Sequence, residues 1–141
     1  MDDPYDLNRF VAAQDAGGTY QQAAAELRRG RKTTHWMWFV FPQVAGLGHS
    51  PVSRMYAISS LDEARAYLAH PVLGPRLIEC ATIAAQTADR TAEQIFGGVD
   101  ALKLRSCATL FHRAAPQEPV FENVLERFFD GSPDPATDRL I

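Results

Sequence analysis

The amino-acid sequence predicts an all-α, or nearly all-α, compact single domain of six or seven short helices. Apolar residues recur at helical spacing along most of the chain, and Gly or Pro interrupts that pattern every ten to fifteen residues. Two helix-capping boxes, Ser60–Glu63 and Thr91–Gln94, add a third indication. With 141 residues, 46% of them hydrophobic, the chain has the length and composition of one domain. We assign residues 1–131 to it and expect residues 132–141 to be an extended or frayed C-terminal tail.

Two helices are predicted before residue 31. Asp6 is a suitable cap for the first, which ends at the Gly17-Gly18 pair. Thr19 is the predicted cap of the second helix, and Gly30 is suited to the position just after its end.

The most apolar stretch of the chain, residues 35–41, leaves its local structure open. Its length and aromatic content fit a buried strand, and a short core helix fits equally well. Pro42 ends the element in either case, and residues 46–51 have the composition of a loop.

The second half of the chain has clearer helix starts. Four predicted helices begin at a capping residue or a proline and carry apolar residues on one face. These starts are Ser60, Pro75, Thr91 and Asp100, and a further helix carries the apolar residues Val120, Phe121, Val124, Leu125 and Phe128. The last helix is expected to end at Gly131.

Charge and cysteine content narrow the function classes. The formal net charge is −3, which gives no support to a nucleic-acid-binding protein. Residues 26–54 nevertheless hold five basic side chains against one acid, whereas residues 116–141 hold six acids against two arginines. The basic segment indicates a local anion site or simply a dipolar surface. Cys80 and Cys107 are expected to be buried, reduced thiols of a cytoplasmic protein.

Several kinds of site have no motif in this sequence. There is no stretch long and apolar enough to be a transmembrane helix, so we expect no membrane association. The sequence also lacks a P-loop, a dinucleotide-binding glycine motif and a metal-binding cluster of His, Cys or acidic residues. We therefore expect no metal and name no cofactor.

The segment Gly30–Gln43 begins a series of blocks in which the chain resembles a known family. That family is the short, mostly bacterial "domain of unknown function 1810", sometimes mislabelled calpastatin. The resemblance covers nearly the whole chain, and its further blocks are residues 3–7, 9–11, 46–48, 56–60, 70–77, 95–97, 100–106 and 109–111. It implies a mainly helical fold and no established activity. A more distant similarity links the chain to the NADAR superfamily, which implies a connection with NAD and ADP-ribose metabolism.

The aromatic block is the first candidate binding site. Tryptophan offers a flat face for a base or cation, and Arg and Lys can hold a phosphate. The candidate ligand-binding residues here are Arg31, Lys32, His35, Trp36, Trp38 and Gln43, with Tyr56 as a weaker addition. The two tryptophan rings share a face only in a strand, because a helix separates them by about 200°. The alternative is that the rings are the main core plug of the domain and the charges only flank them.

A helix around Lys103 is the second candidate. Leu102, Ser106 and Thr109 fall on one helical stripe, so two hydroxyls lie among apolar residues. An inward-facing Lys103 must be paired or directed at a ligand, with Glu79 or Asp100 as candidate ion-pair partners. Lys103 and Glu79 are also the candidate catalytic pair, and Ser106 and Thr109 are further candidate ligand-binding residues. We expect the ligand to lie in a pocket formed by this helix and the aromatic block.

Two functions from different classes follow. The first is binding or processing of a small anionic ligand, such as a nucleotide or ADP-ribose derivative, with N-glycosidic bond cleavage as the corresponding reaction. The second is a non-catalytic protein-interaction module, whose contact surface would include the acidic C-terminal helix of Glu118, Glu122 and Glu126.

Overall fold

Ten α-helical segments make up most of the computed structural model, which describes residues 2–141. They are α1 (Asn8–Asp15), α2 (Thr19–Arg28), α3 (Met37–Val40), α4 (Pro51–Met55), α5 (Leu61–Ala69), α6 (Leu73–Ala85), α7 (Ala92–Phe96), α8 (Gly98–Ala114), α9 (Pro119–Phe129) and α10 (Pro135–Leu140). Within the described range, β-pairing is limited to one isolated bridge between Val44 and Ile58. The predicted all-α class is confirmed. The count exceeds the expected six or seven because of three short segments of four to six residues, α3, α4 and α10.

The two N-terminal caps differ from prediction. The Asp3 carboxylate, and not Asp6, accepts from the backbone N–H groups of Leu7 and Asn8, at 2.8 and 2.9 Å. Asp6 has a φ of 50° and lies in the turn before α1. Thr19 is the first residue of α2 instead of its cap. Its hydroxyl donates back to the carbonyl of Ala16.

The caps predicted in the second half are mostly present. Ser60 accepts from the N–H of Glu63 at the start of α5, and the Thr91–Gln94 capping box has both of its hydrogen bonds. Glu63 completes no box, because it instead accepts from Ser59 and from Arg9, whose guanidinium lies 2.9 Å away. The long-range ion pair is therefore preferred over the local cap.

Two helices begin earlier than predicted. The helix expected to begin at Pro75 begins at Leu73, and the helix expected to be capped by Asp100 is preceded by Gly97 and begins at Gly98. Asp100 consequently lies in the first turn of α8, where a negative charge is favourable.

A chain of aromatic rings holds the core together. Phe10 of α1 contacts Tyr67 of α5 at 5.1 Å between ring centroids, and Tyr67 contacts Phe111 of α8 at 5.4 Å. Phe111 in turn stacks on Phe121 of α9 at 5.6 Å. All four side chains are fully buried, so helix α8 lies at the centre of the fold with α5 and α9 packed against it.

Residues 132–141 contain a helix where the sequence predicted an extended or frayed tail. The Asp134 side chain caps α10 by accepting from the N–H and hydroxyl of Thr137. Arg113 of α8 makes a two-pronged ion pair with Asp138, at 2.9 and 3.0 Å. These polar contacts with α8 depend on the fold, which is why local composition did not indicate them.

The two cysteines lie in the core as free thiols. Burial raises the pKa of Cys80 to about 12 and that of Cys107 well above its usual value. Because the thiolate is the reactive form, we expect native protein to resist alkylation at pH 8 and to react at both positions once unfolded in urea. Mass spectrometry after iodoacetamide treatment measures this, and rapid labelling of the native protein would contradict the buried placement.

None of the helices described over residues 2–141 has the length and hydrophobicity needed to span a membrane.

Candidate functional site

The basic segment after α2 wraps around one buried carboxylate, that of Glu26. Its oxygens accept from the backbone N–H groups of Thr33 and Thr34, at 2.7 and 3.0 Å, and from the indole N–H of Trp36 at 3.0 Å. The Thr34 hydroxyl and Gln22 donate as well. Burial by itself would raise the pKa of Glu26, but these hydrogen bonds outweigh it and hold the pKa well below its usual range.

This network decides the role of the aromatic block. Trp36 is 1% exposed, and its indole N–H is taken by Glu26, so it is a core residue and unavailable for stacking on a ligand. Residues 37–40 form the one-turn helix α3, which places Trp38 on a different side with its ring half-buried. Trp36 is therefore part of the hydrophobic core, as the alternative to a binding role predicted, whereas Trp38 is not fully buried.

Lys32, Asp100 and Lys103 form a cluster that we call the lysine bridge. The Lys32 ammonium lies 2.9 Å from one oxygen of Asp100, and the Lys103 ammonium lies 3.5 Å from the other. Lys32 also donates to the carbonyl of Thr34. The Lys32 ammonium lies 5.1 Å from the ring centroid of Trp36, and that of Lys103 lies 5.3 Å from the ring of Trp38. Cation–π contact thus supports both ammonium groups.

The lysine bridge holds two positive charges against one carboxylate. The Lys32 side chain is 7% exposed and has both an ion pair and a carbonyl acceptor, so its charge is well compensated. The Lys103 side chain is 23% exposed, and its one ion pair, with Asp100, is the longer of the two at 3.5 Å. One positive charge is therefore incompletely neutralised, and it is the one that faces a cavity.

That cavity, which we call the α8 cavity, has a volume of about 340 Å³. It lies between α8, the loop that follows Pro42 and the start of α10. Its lining residues are Gln43, Leu47, Gly48, Ser53, Val99, Leu102, Lys103, Arg105, Ser106, Asp134 and Ala136. Of the predicted site residues, the structure brings Lys103, Gln43 and Ser106 together here, with Trp38 and Lys32 joined to them through the lysine bridge.

Ser106 and Thr109 serve the C-terminal helix. The Ser106 hydroxyl donates to Asp134 at 2.8 Å, and the Thr109 hydroxyl accepts from the backbone N–H of Asp134 at 2.8 Å. Burial by itself would raise the pKa of Asp134, but hydrogen bonds from Thr137 and Ser106 prevail and lower it. The two hydroxyls on the apolar stripe are thus explained by α10, and only Ser106 also borders the cavity.

The inward face of α8 differs from the predicted stripe. Leu102, expected inside, is 63% exposed, and neighbouring Val99 is 71% exposed. Ser106 and Thr109 of that stripe are buried, and the buried apolar positions are Ala101, Leu104, Cys107, Ala108, Leu110, Phe111 and Ala114. The prediction assumed that Leu102 faces the core, whereas its side of α8 faces the cavity and α10.

The other predicted site residues lie outside the α8 cavity. Glu79 of α6 accepts a hydrogen bond from the Tyr20 hydroxyl of α2, and the pKa of Tyr20 is raised by its burial and by this bond. The ion-pair partner of Lys103 is Asp100, so the proposed Lys103–Glu79 pair is not formed.

Tyr56, Arg31 and His35 are also elsewhere. The Tyr56 ring packs on Phe10 and Phe39, at 5.7 and 5.3 Å between centroids. Arg31 and His35 are exposed and do not line the cavity. Across residues 2–141, no three His, Cys, Asp or Glu side chains come together as a group that could hold a metal ion.

Of the two partners considered for Lys103, Asp100 had the stronger sequence signal, and Lys32 was not connected with it. Lys32 and Lys103 are the only lysines of the sequence, and Asp100 stands three residues before Lys103, at a spacing that places both on one face of a helix. The acceptor role of Glu26 had no comparable signal, because four of its five donor groups are reached only when the chain folds back after Gly30.

Comparison with known proteins finds one family and one solved structure. A family model described as "Protein of unknown function (DUF1810)" matches residues 4–141. The sequence is 50% identical to that of the conserved hypothetical protein Rv1873 from Mycobacterium tuberculosis, whose crystal structure superposes with a TM-score of 0.95. The match covers 99% of this chain and 98% of that one. No curated protein matches. These matches give no support to the expected similarity to the NADAR superfamily.

Proposed function

The chain belongs to the DUF1810 family of proteins of unknown function, and we propose that it binds a small anionic ligand in the α8 cavity. The observation that carries this proposal is the lysine bridge, in which Asp100 is shared by Lys32 and Lys103. The Lys103 ammonium group borders the cavity and shares its only paired carboxylate with Lys32. This arrangement favours a ligand that supplies a second negative charge.

The cavity has the size and mixed lining expected of a small-molecule site. Its volume of about 340 Å³ falls in the lower part of the 300–1,000 Å³ range of ligand pockets. Leu47, Val99 and Leu102 supply apolar surface, and Gln43 and Ser53 supply polar groups. A phosphate or carboxylate could approach Lys103 while the rest of the ligand lies on the apolar wall.

A nucleotide or ADP-ribose derivative is the ligand class that we propose to test first. Its phosphates would pair with Lys103, and Trp38 is the aromatic ring beside that ammonium. Trp36 can play no such part, because it is buried.

We propose binding and do not propose cleavage of a glycosidic bond. That reaction needs a carboxylate close to the sugar carbon and free to act. Asp134 accepts bonds from Ser106 and Thr137, Asp100 is paired with two lysines, and Glu79 lies at the α2–α6 contact.

Thermal unfolding with a ligand panel tests the proposal. The panel contains NAD, ADP-ribose, mononucleotides, sugar phosphates and dicarboxylates. A ligand at about 100 times its dissociation constant adds roughly 2.7 kcal/mol of stability, which raises the Tm by several degrees. Lys103→Gln is expected to lower the affinity of that ligand at least tenfold, since a hydrogen bond to a charged group contributes about 1.5–3 kcal/mol.

Arg65→Gln is the matched control. Arg65 also carries one positive charge, but it contacts the carbonyl of Ala114 at the other end of α8, about 16 Å along the helix from Lys103. Its affinity is expected to equal that of the wild type. Loss of binding in both variants, or in neither, would contradict a site at Lys103.

A second function, protein interaction, is favoured by one specific observation. Val99 and Leu102 are large apolar side chains exposed on adjacent positions of the cavity rim, and Met55 is also exposed. A protein partner would cover these residues without filling the cavity. This function would be favoured over the first if no anion of the panel raised the Tm and if a protein partner bound the wild type but not Leu102→Glu.

A further inference from the structure

We propose a second binding site, for a ligand carrying two or more linked phosphate groups, in a groove between the end of α2 and the loop that joins α6 to α7. Three arginines, Arg28, Arg29 and Arg90, line this groove, which has a volume of about 520 Å³. The other lining residues are Leu27, Gly30, Ile83, Gln86, Thr87 and Ala88. We call it the arginine groove. It shares no lining residue with the α8 cavity.

The three guanidinium groups have no structural partner in the described chain. Among residues 2–141, no side-chain hydrogen bond or ion pair engages Arg28, Arg29 or Arg90. No acidic residue lines the groove either. Three like charges at one concave surface repel each other, so their arrangement favours an anion that neutralises them together.

The helix ends beside the groove do not require these cations. At the end of α2, the backbone N–H groups of Gly30 and Arg31 donate to the carbonyls of Leu27 and Glu26. At the end of α6, the Thr87 hydroxyl donates to the carbonyl of Ile83 at 3.1 Å. Because these carbonyls already have donors, they do not need the guanidinium groups as hydrogen-bond partners.

The backbone around Arg90 is organised to hold its side chain in the groove. Gly30 has a φ of 74°, and a Cβ added there would lie 3.0 Å from Cδ of Arg90. The aliphatic part of the Arg90 side chain therefore packs on Gly30, and a larger residue at position 30 would push that side chain away. Arg127 of α9 donates to the carbonyls of Thr87 and Arg90, which fixes the loop between α6 and α7.

The chemistry of three guanidinium groups favours linked phosphates. Each guanidinium presents paired N–H donors that match the oxygens of a phosphate, and it keeps its charge at every physiological pH. A single phosphate can satisfy one or two such groups, whereas a diphosphate or triphosphate can reach all three across a groove of this size. The lining has no aromatic residue for base stacking, so the proposed determinant is the phosphate chain alone.

Isothermal titration with inorganic triphosphate at low ionic strength tests this site. We expect binding at least tenfold tighter than that of orthophosphate. Arg28→Gln and Arg90→Gln are each expected to weaken triphosphate binding about tenfold or more. Arg54→Gln, which removes an exposed arginine on α4, is the matched control and is expected to bind like the wild type.

Three results would overturn the proposal. These are absence of triphosphate binding at millimolar concentration, an equal loss in the Arg54 control, and a loss confined to Lys103→Gln. The last result would assign the triphosphate to the α8 cavity and would leave the function proposed there intact.

Discussion

Glu26→Ala is expected to lower the free energy of unfolding by about 3 kcal/mol or more, because it leaves several donors without their acceptor. The backbone N–H groups of Thr33 and Thr34 and the indole N–H of Trp36 all depend on this one carboxylate. Urea unfolding monitored by tryptophan fluorescence measures the change. Glu122→Ala, which removes an exposed carboxylate of α9, is the control and is expected to change stability by no more than about 0.5 kcal/mol.

The same carboxylate predicts a dependence of stability on pH. The pKa of Glu26 is lower in the folded protein than its ordinary value of 4.5, so its stabilising contribution is fully present above that value. The contribution is lost as the pH falls below about 4.5 towards the folded-state pKa. We therefore expect the wild type to lose more stability between pH 6 and pH 3 than Glu26→Gln does. Parallel curves for the two proteins would show that Glu26 is not held as an anion.

Asp100→Asn is expected to act in opposite directions on stability and on ligand affinity. Loss of the shared carboxylate leaves the nearly buried ammonium of Lys32 without its ion-pair partner, which should cost about 3 kcal/mol. The same change removes the only ion-pair partner of Lys103 among residues 2–141. An anion in the α8 cavity would then meet a stronger positive field, and its affinity should rise severalfold.

Two measurements on one set of variants test this pair of effects. Urea unfolding gives the stability, and titration of the best panel ligand into folded protein gives the affinity. Asp62→Asn breaks an exposed ion pair with Arg65 and is expected to change neither quantity appreciably. If Asp100→Asn weakened the ligand as strongly as Lys103→Gln, then Asp100 would be a direct ligand contact and the charge argument would be wrong.

Several features that depend on local sequence were predicted correctly. The capping box at Thr91, the cap at Ser60 and the end of the aromatic element before Pro42 each involve residues close together in the chain, and all three are present. The tail was predicted poorly for the converse reason. Asp134 and Asp138 stabilise α10 through partners on α8 that are about 25 residues distant in sequence.

The candidate site was predicted in part. Lys103 and Trp38 were expected near each other from residue type alone, and they are in contact. Trp36 and Glu79 were misassigned because their partners, Glu26 and Tyr20, are identified only by tertiary packing. Aromatic and charged residues signal that a segment is important, but the choice between core and ligand depends on which polar groups have partners already.

A crystal structure of the protein with the tightest-binding anion of the panel tests the central claim most directly. The lysine bridge predicts density for a phosphate or carboxylate within hydrogen-bond distance of Nζ of Lys103, inside the cavity bordered by Gln43 and Ser106. It also predicts that the Lys32–Asp100 ion pair stays intact beside the ligand. An α8 cavity without density, at a concentration that saturates binding in solution, would contradict the account.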